Sequence, residues 1–183
     1  AAINASSIQI WTDISGLHNN DPRFVDETFP LEELSFNEAA ELAYFGAKIL
    51  HPVCILPAKE KNIPVFLKNT LKPNETGTII TSRTNQNGIK AIAAKDDITI
   101  IKIKSARMLM SHGFLKRIFE IFDAHKISVD VITTSEVAVS LTVDYKGDLS
   151  PLSDELRQLG EVEVVYDQVI ICIVGEGLIF DGK

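Results

Sequence analysis

The second half of the chain switches repeatedly between two hydrophobic periodicities, and this alternation limits its fold more than any other feature. Apolar residues recur three and four positions apart at Leu115, Ile118, Phe119 and Phe122, which predicts an amphipathic helix. A second helix is predicted from Ser150 to Gly160, because proline at position 151 favours a first turn and glycine an end. Strand-like runs surround these helices at residues 98–104, 129–133, 137–143 and 161–165. The resulting order, βαββαβ, predicts a ferredoxin-like unit.

The first half predicts a different α/β arrangement. Strand-like runs lie at residues 8–12, 63–67 and 78–81. Ser35 and Glu38 have the spacing of a capping box, which predicts the start of a helix. Pro52 ends that helix, and a shorter helix is predicted from there to about Lys61.

The boundaries of the chain's parts are also predicted from local composition. The polar, Asn-rich stretch at 83–88 indicates a domain boundary. A fifth strand-like run at 169–174 exceeds what one βαββαβ unit needs. We therefore expect a domain portion at 1–88, the ferredoxin-like unit at 96–167, and the start of a second such unit at 168–183. Because residues 1–7 show no initiator Met and no capping signal, we expect a segment of a longer protein.

Composition narrows the function. The 183 residues carry a net charge of −7, whereas nucleic-acid binders show a basic patch or stripe. No run approaches the roughly 20 apolar residues of a membrane span, and no signal peptide is visible. The two cysteines and four histidines do not have the spacing of zinc ligands. We expect a cytoplasmic protein with no metal site and no nucleic-acid or membrane partner.

A first candidate site lies where the first strand ends. Thr12 and Asp13 follow that strand directly, and ligands of open α/β sheets lie beyond the carboxyl ends of strands. Arg23 and Lys48 are cations suited to phosphate groups. The residues alone leave an alternative open, in which Asp21-Pro22-Arg23 is an ordinary turn and Lys48 a solvated charge.

Two longer segments resemble a known family. Residues 10–23, IWTDISGLHNNDPR, resemble the W-T-D-V-x-G and D-P-R segment of aspartate kinases, and residues 45–52, FGAKILHP, resemble their F-G-A-K segment. The segments are long and stand in the order found in the family. The resemblance implies that residues 1–88 are the C-terminal part of an amino-acid-kinase α/β sandwich.

The resemblance also implies which residues contact ATP, a substrate that would enter with Mg²⁺ rather than a tightly bound cofactor. His18 stands where many relatives have tyrosine near the adenine, whereas His51 and Pro52 have a structural role. The family's phosphate-gripping K-[FY]-G-G-[TS] segment is missing, since the chain has no Gly-Gly pair, and so are its main aspartate-binding residues. We therefore expect no catalytic residue within this chain and no kinase activity from it alone. The candidate ATP-site residues are Thr12, Asp13, His18, Arg23, Lys48 and Ile49.

A second candidate site lies in the ferredoxin-like unit. The helix predicted to start near Gly113 offers unpaired N–H groups that suit a carboxylate. Asp130, on the next strand, suits an ammonium group. Together they suit a free amino acid. The residues alone leave an alternative open, in which Gly113 only permits a turn and Asp130 is a solvated charge.

Residues 108–115 and 128–137 resemble the first ACT domain of lysine-sensitive aspartate kinases, and the Thr133-Thr134-Ser135-Glu136 form favours lysine over threonine as effector. The resemblance implies a homodimer formed through ACT domains, with the effector at the interface. The candidate effector residues are Met108, Ser111, Gly113, Phe114, Leu115, Asp130, Thr134, Ser135, Glu136 and Val137.

The function implied is phosphorylation of L-aspartate by ATP to 4-phospho-L-aspartate, the first step towards lysine, threonine and methionine, under feedback by L-lysine. One alternative is the kinase half of a bifunctional aspartokinase–homoserine dehydrogenase. Another is a stand-alone amino-acid-binding regulator. A regulator has no need of the two kinase segments in residues 1–88, which favours the enzyme.

Overall fold

The computed structural model describes residues 5–46, 50, 52–84, 88–106, 108 and 112–178. Lys48, Ile49, His51 and Ser111 lie outside these ranges. The chain forms two compact units. The first comprises the described residues up to Lys95 together with those from Ile171 onward, and the second comprises Asp96–Ile170.

The first unit contains a mixed four-stranded sheet in the order β1-β3-β4-β2. β1 runs parallel to β3 and β2 parallel to β4, whereas β3 and β4 are antiparallel. Parallel pairing brings the end of β1 beside the end of β3, with Thr12 opposite Asn69. Its elements are β1 (Ile8–Thr12), β2 (Glu33–Ser35), α1 (Phe36–Phe45), α2 (Pro52–Glu60), β3 (Val65–Asn69) and β4 (Thr78–Thr81).

The capping box predicted at the start of α1 is confirmed. The Ser35 hydroxyl accepts a hydrogen bond from the Glu38 N–H at 3.2 Å, and the Glu38 carboxylate accepts one from the Ser35 N–H at 2.7 Å. The same carboxylate forms an ion pair with Lys90 at 2.9 Å, and both side chains are at most 5% exposed. Lys90 also donates to the Thr84 hydroxyl at 2.9 Å. The start of α1 is therefore joined by buried charges to a residue 52 positions further along the chain.

The second unit has the predicted ferredoxin-like order. Its sheet follows the order β6-β7-β5-β8, and β7 runs antiparallel to both neighbours. Helix α3 forms as predicted and buries Phe114, Ile118 and Phe122. Of the predicted apolar face, Leu115 and Phe119 were wrong, since they are 37% and 41% exposed. The elements are β5 (Gly88–Lys104), α3 (Phe114–Ala124), β6 (Ile132–Thr134), β7 (Ala138–Val143), α4 (Ser150–Leu156) and β8 (Glu161–Glu176). Residues 88–95 of β5 and 171–176 of β8 belong to the first unit.

Five strand predictions were wrong in extent. The run at 63–67 is β3, which lies two residues later, at Val65–Asn69. The runs at 161–165 and 169–174 belong to one strand, β8, which passes through Asp167 at a φ of 56°. β5 begins at Gly88, ten residues before the predicted start, and passes Asp97 at a φ of 60°. β6 is shorter than predicted, because residues 129–131 precede its ladder. In the ranges described, the helices are too short or too polar to cross a bilayer.

Candidate nucleotide and effector sites

The segment that leaves β1 turns sharply at the strand's carboxyl end. The Thr12 hydroxyl accepts a hydrogen bond from the Ile14 N–H at 3.1 Å, which folds the chain back around Asp13. The Thr12 carbonyl accepts from the Thr70 N–H at 2.7 Å, so the end of β1 stays joined to the segment that follows β3. Asp13 is exposed and Thr12 is half-buried. A carboxylate is thereby presented to solvent at the sheet edge where α/β proteins bind ligands.

Beyond this turn the chain forms one wall of a cleft of about 320 Å³. The loop contributes His18 and Arg23, the end of α1 contributes Gly46, and the start of β5 contributes residues 92–94. Gly46 permits this arrangement, since a Cβ there would lie 3.3 Å from the Ala94 carbonyl oxygen. The lining residues are Ile14, His18, Asn20, Asp21, Pro22, Arg23, Leu42, Gly46, Ile92, Ala93 and Ala94.

The cationic group of the cleft is oriented by a neighbouring acid. The Arg23 Nε lies 3.0 Å from both Asp21 carboxylate oxygens, and its Nη2 lies 2.5 Å from Oδ2. This hydrogen bonding with Arg23 lowers the pKa of Asp21, so the carboxylate stays ionised at neutral pH. The guanidinium also lies 5.6 Å from the centre of the Phe24 ring. Because the Arg23 side chain is 64% exposed, a phosphate group can approach it from solvent.

His18 lies near the start of the segment that joins β1 to β2, and contacts with residues 28–30 hold it in place. Its Nδ1 lies 2.9 Å from the Thr28 hydroxyl oxygen, and a β-bridge joins its backbone to Pro30. Partial burial lowers the pKa of His18, which favours a neutral imidazole. A neutral ring can stack on or hydrogen-bond to a heterocyclic base.

The structure thus brings together two of the predicted ATP-site residues, His18 and Arg23. Thr12 and Asp13 lie on the same segment but do not line the cleft. Lys48 and Ile49 lie outside the described residues, so their positions stay predictions.

The candidate effector residues lie on two segments of the second unit. Gly113 adopts a left-handed conformation, with a φ of 77°, and precedes α3. Phe114 is buried, Leu115 is 37% exposed and Met108 packs against the core. Thus Gly113 is a conformational requirement of the turn, whatever its part in binding.

The second segment follows Asp130 to the β6–β7 corner. The Asp130 N–H donates to the Thr142 carbonyl at 2.8 Å, and the Ser135 N–H closes the corner by donating to Ala138 at 2.8 Å. The Val137 carbonyl accepts from the Ser105 N–H at 2.8 Å, which joins this corner to the loop that leads to Met108. Thr134, Ser135, Glu136 and Val137 are all exposed.

A second cleft of this unit involves none of the predicted effector residues. It lies between α3 and α4 and is lined by Arg117, Glu120, Ile121, Ala124, Glu155, Gln158 and Leu159.

Sequence reasoning missed two residues that hold the nucleotide-site segment. Asn69 and Thr78 are polar and at most 5% exposed, and both bond to residues 15–17. A polar residue at a strand end was a usable signal for Asn69. Thr78 gave no signal, because threonine is an ordinary strand residue.

Comparison with known proteins defines the class. A model of the amino acid kinase family matches residues 1–69. The lysine-sensitive aspartokinase 3 of Escherichia coli K12 is 41% identical over 97% of this chain, which covers 41% of that protein. The structure of E. coli aspartokinase III with aspartate and ADP, in the R-state, superposes with a TM-score of 0.88 at 39% identity, over 100% of this chain and 43% of that one. The structure of the same enzyme with lysine and aspartate, in the T-state, gives 0.82 at 40% identity, over 95% and 40%.

The chain therefore combines a portion of an amino-acid-kinase α/β domain with an ACT-type regulatory unit, as predicted. Its homology along nearly its whole length places it in the aspartokinase family. It spans about two fifths of the length of the relatives that it matches.

Proposed function

We propose that this protein acts as an aspartokinase, transferring the γ-phosphoryl group of ATP to the side-chain carboxylate of L-aspartate. The observation that carries the proposal is the cleft beside the carboxyl end of β1, which both His18 and an Asp21-oriented Arg23 line. In this arrangement the Arg23 guanidinium contacts phosphate oxygens and the His18 ring contacts the base. We propose that Asp13, exposed at the end of β1 outside the cleft lining, contacts the ribose or the Mg²⁺ that accompanies the phosphates.

Phosphoryl transfer depends on several groups that position the phosphates and stabilise their charge. This chain supplies part of that set, since its sequence contains no Gly-Gly segment of the kind that grips phosphates in the family. We therefore propose that residues 1–183 alone show no turnover, whereas the full-length product of the gene phosphorylates aspartate. A coupled ADP-release assay on both proteins tests this, and turnover by residues 1–183 would contradict it.

A pair of variants tests the nucleotide site in the full-length protein. Asp13→Asn should lower kcat/KM for ATP by about 100-fold, the typical effect of removing one positioned electrostatic group. Asp26→Asn, a matched exposed acid on the same loop, should leave it within twofold. Equal kinetics of the two variants would remove Asp13 from the site.

We further propose that L-lysine binds the ACT-type unit and inhibits the kinase. The exposed acidic corner around Glu136 and the half-buried Asp130 provide carboxylates for the ammonium groups of lysine. The N–H groups at the start of α3 provide donors for the carboxylate of the bound lysine. Binding that favours an inactive arrangement shifts the population towards it. The relation of E. coli aspartokinase III to lysine, seen in its T-state structure, supports this choice of effector.

Calorimetry with lysine, threonine and methionine identifies the effector. Asp130→Ala should weaken lysine binding and inhibition by about 10-fold, because hydrogen bonds to charged groups contribute roughly 1.5–3 kcal/mol. Asp123→Ala, on the exposed end of α3, is the control. Unchanged lysine inhibition in Asp130→Ala would refute the assigned site.

We also propose a homodimer through the ACT-type units. β6 is an outer strand of its sheet, and all three of its residues are exposed, so its edge is open to pairing. Ile132→Glu should shift the sedimentation coefficient towards that of a monomer, while Phe119→Glu, on the exposed side of α3, should not.

A further inference from the structure

Thr78, the first residue of β4, joins two loop segments of the first unit. Its hydroxyl accepts a hydrogen bond from the Leu17 N–H at 2.9 Å and donates one to the Leu31 carbonyl at 2.6 Å. The Leu31 N–H in turn donates to the Leu17 carbonyl at 2.7 Å. Thr78 has no exposed surface. One buried hydroxyl therefore holds both ends of the loop that carries His18 and Arg23.

Gly16 is fitted directly against this hydroxyl. A Cβ at Gly16 would lie 2.4 Å from the Thr78 Oγ1, and Gly16 has a φ of 125°. Both the space and the backbone conformation therefore require glycine. The turn between Asp13 and His18 therefore packs in direct contact with the Thr78 side chain and leaves no room for a side chain at Gly16.

The loop between β3 and β4 holds the neighbouring residue, Ser15. The Asn69 Nδ2 donates to the Ser15 hydroxyl at 3.0 Å, and the Ser15 hydroxyl donates to the Glu75 carboxylate. The Asn69 Oδ1 accepts from the Leu71 N–H at 2.8 Å. Asn69 is 5% exposed, so its orientation is fixed by packing as well as by these bonds.

We propose that the β3–β4 hairpin positions the nucleotide-binding segment, with Thr78 and Asn69 as positioning residues that act through residues 15–17. Asp13 lies two positions before these held residues, and His18 immediately follows them. Neither positioning residue lines the cleft, so both act without contacting ATP. The inference rests on the proposed nucleotide site and names the part of the fold that sets its geometry. Small misplacements of binding groups lower rates strongly, which gives the hairpin a measurable effect.

The test uses Thr78→Val and Thr78→Ser in the full-length protein. Valine keeps the shape but removes the hydroxyl, leaving the Leu17 N–H and Leu31 carbonyl without it. We expect Thr78→Val to raise KM for ATP and Kd for ADP by about 10-fold with KM for aspartate within twofold, as for a displaced binding group. Thr78→Ser keeps the hydroxyl and should restore both constants to within about threefold of the original protein.

Asn69→Ala provides an independent measurement should Thr78→Val fail to fold. It should raise Kd for ADP about 5-fold through the loss of the Ser15 contact, whereas Asn74→Ala, at an exposed asparagine of the loop between β3 and β4, should not. A folded Thr78→Val or Asn69→Ala with unaltered ATP constants would overturn the positioning role while Asp13→Asn still upheld the nucleotide site. If Asp13→Asn also bound ATP normally, Asp13 would be removed from the nucleotide site and the positioning role would fall with it.

Discussion

Each compact unit has a threonine whose hydroxyl accepts a hydrogen bond from the backbone of that unit's candidate site. The two threonines differ in how deeply they are buried. Thr78 accepts from the Leu17 N–H and Thr142 accepts from the Val131 N–H, both at 2.9 Å. Thr78 is fully buried and bonds a second segment, whereas Thr142 is half-buried beside the outer strand β6. The nucleotide segment is thus fixed from within its unit, and the effector corner is carried on an exposed sheet edge. We expect a preformed nucleotide site and an effector site that adapts to its ligand.

The largest effect should come from the core behind the effector corner. Phe122 is 2% exposed and packs in the cluster that contains Val139 and Leu141 of β7. Phe122→Ala should lower the free energy of unfolding by roughly 3–5 kcal/mol, measured by hydrogen exchange of β7 amides. Phe119→Ala, on the same helix but 41% exposed, should cost about 1 kcal/mol or less. Similar losses in both variants would show that the corner does not depend on this core.

The next effect concerns the buried charges of the first unit. Lys90→Met leaves the Glu38 carboxylate buried without its cation, and should cost about 3 kcal/mol in urea unfolding. Lys72→Met breaks an ion pair with Glu75 in which Lys72 is 65% exposed, and should change stability by less than about 1 kcal/mol. A Lys90→Met protein as stable as the original would contradict the view that the buried Glu38–Lys90 ion pair stabilises the first unit.

A smaller effect is expected at Thr142. Thr142→Val removes the hydroxyl that the Val131 N–H bonds, so it should cost about 1 kcal/mol and weaken lysine binding about 3-fold. Thr133→Val, on the exposed strand β6, is the control. If Thr142→Val proved as damaging to lysine binding as Thr78→Val is to ADP binding, the two sites would be held equally and the contrast would disappear.

The smallest effect should be a pH dependence of the nucleotide site. Burial lowers the pKa of His18 below 6.5, so the unfolded state binds a proton more readily than the folded state. Stability should therefore fall as pH drops below 6.5, and the loss should level off below the folded-state pKa. His18→Gln should flatten this part of the stability curve from pH 7 to 5, with exposed His112→Gln as the control. An unchanged slope would show that His18 is not held as the cleft geometry indicates.

Much of the fold followed from the sequence where local signals agreed. The Ser35–Glu38 box was confirmed because a helix start depends on neighbours within one turn. The apolar spacing predicted helix α3 and the burial of Ile118 and Phe122, but it misassigned Leu115 and Phe119, which are exposed. The predicted ends of the strands were wrong where a residue type suits both a turn and a strand. Asp97 and Asp167 suggest turns in a sequence, yet each takes a positive φ inside a continuous strand.

The candidate site followed less completely. Family resemblance indicated His18 and Arg23, which the cleft brings together. The role of Thr78 was invisible, because it depends on partners 61 and 47 positions away. Hydrogen-bond partners that are distant in sequence can be predicted only when a local motif marks their positions.

The bonds of Thr78 also set an order of events during synthesis. Leu17 and Leu31 leave the ribosome well before Thr78. Until Thr78 emerges, the loop between them therefore lacks the hydroxyl that hydrogen-bonds to both of its ends. Contacts this distant in sequence close late, since the intervening chain must first lose its freedom. The loop that carries His18 and Arg23 should therefore be among the last parts of the first unit to acquire its shape. Until then it should remain open to proteases, which limited digestion of stalled nascent chains would reveal.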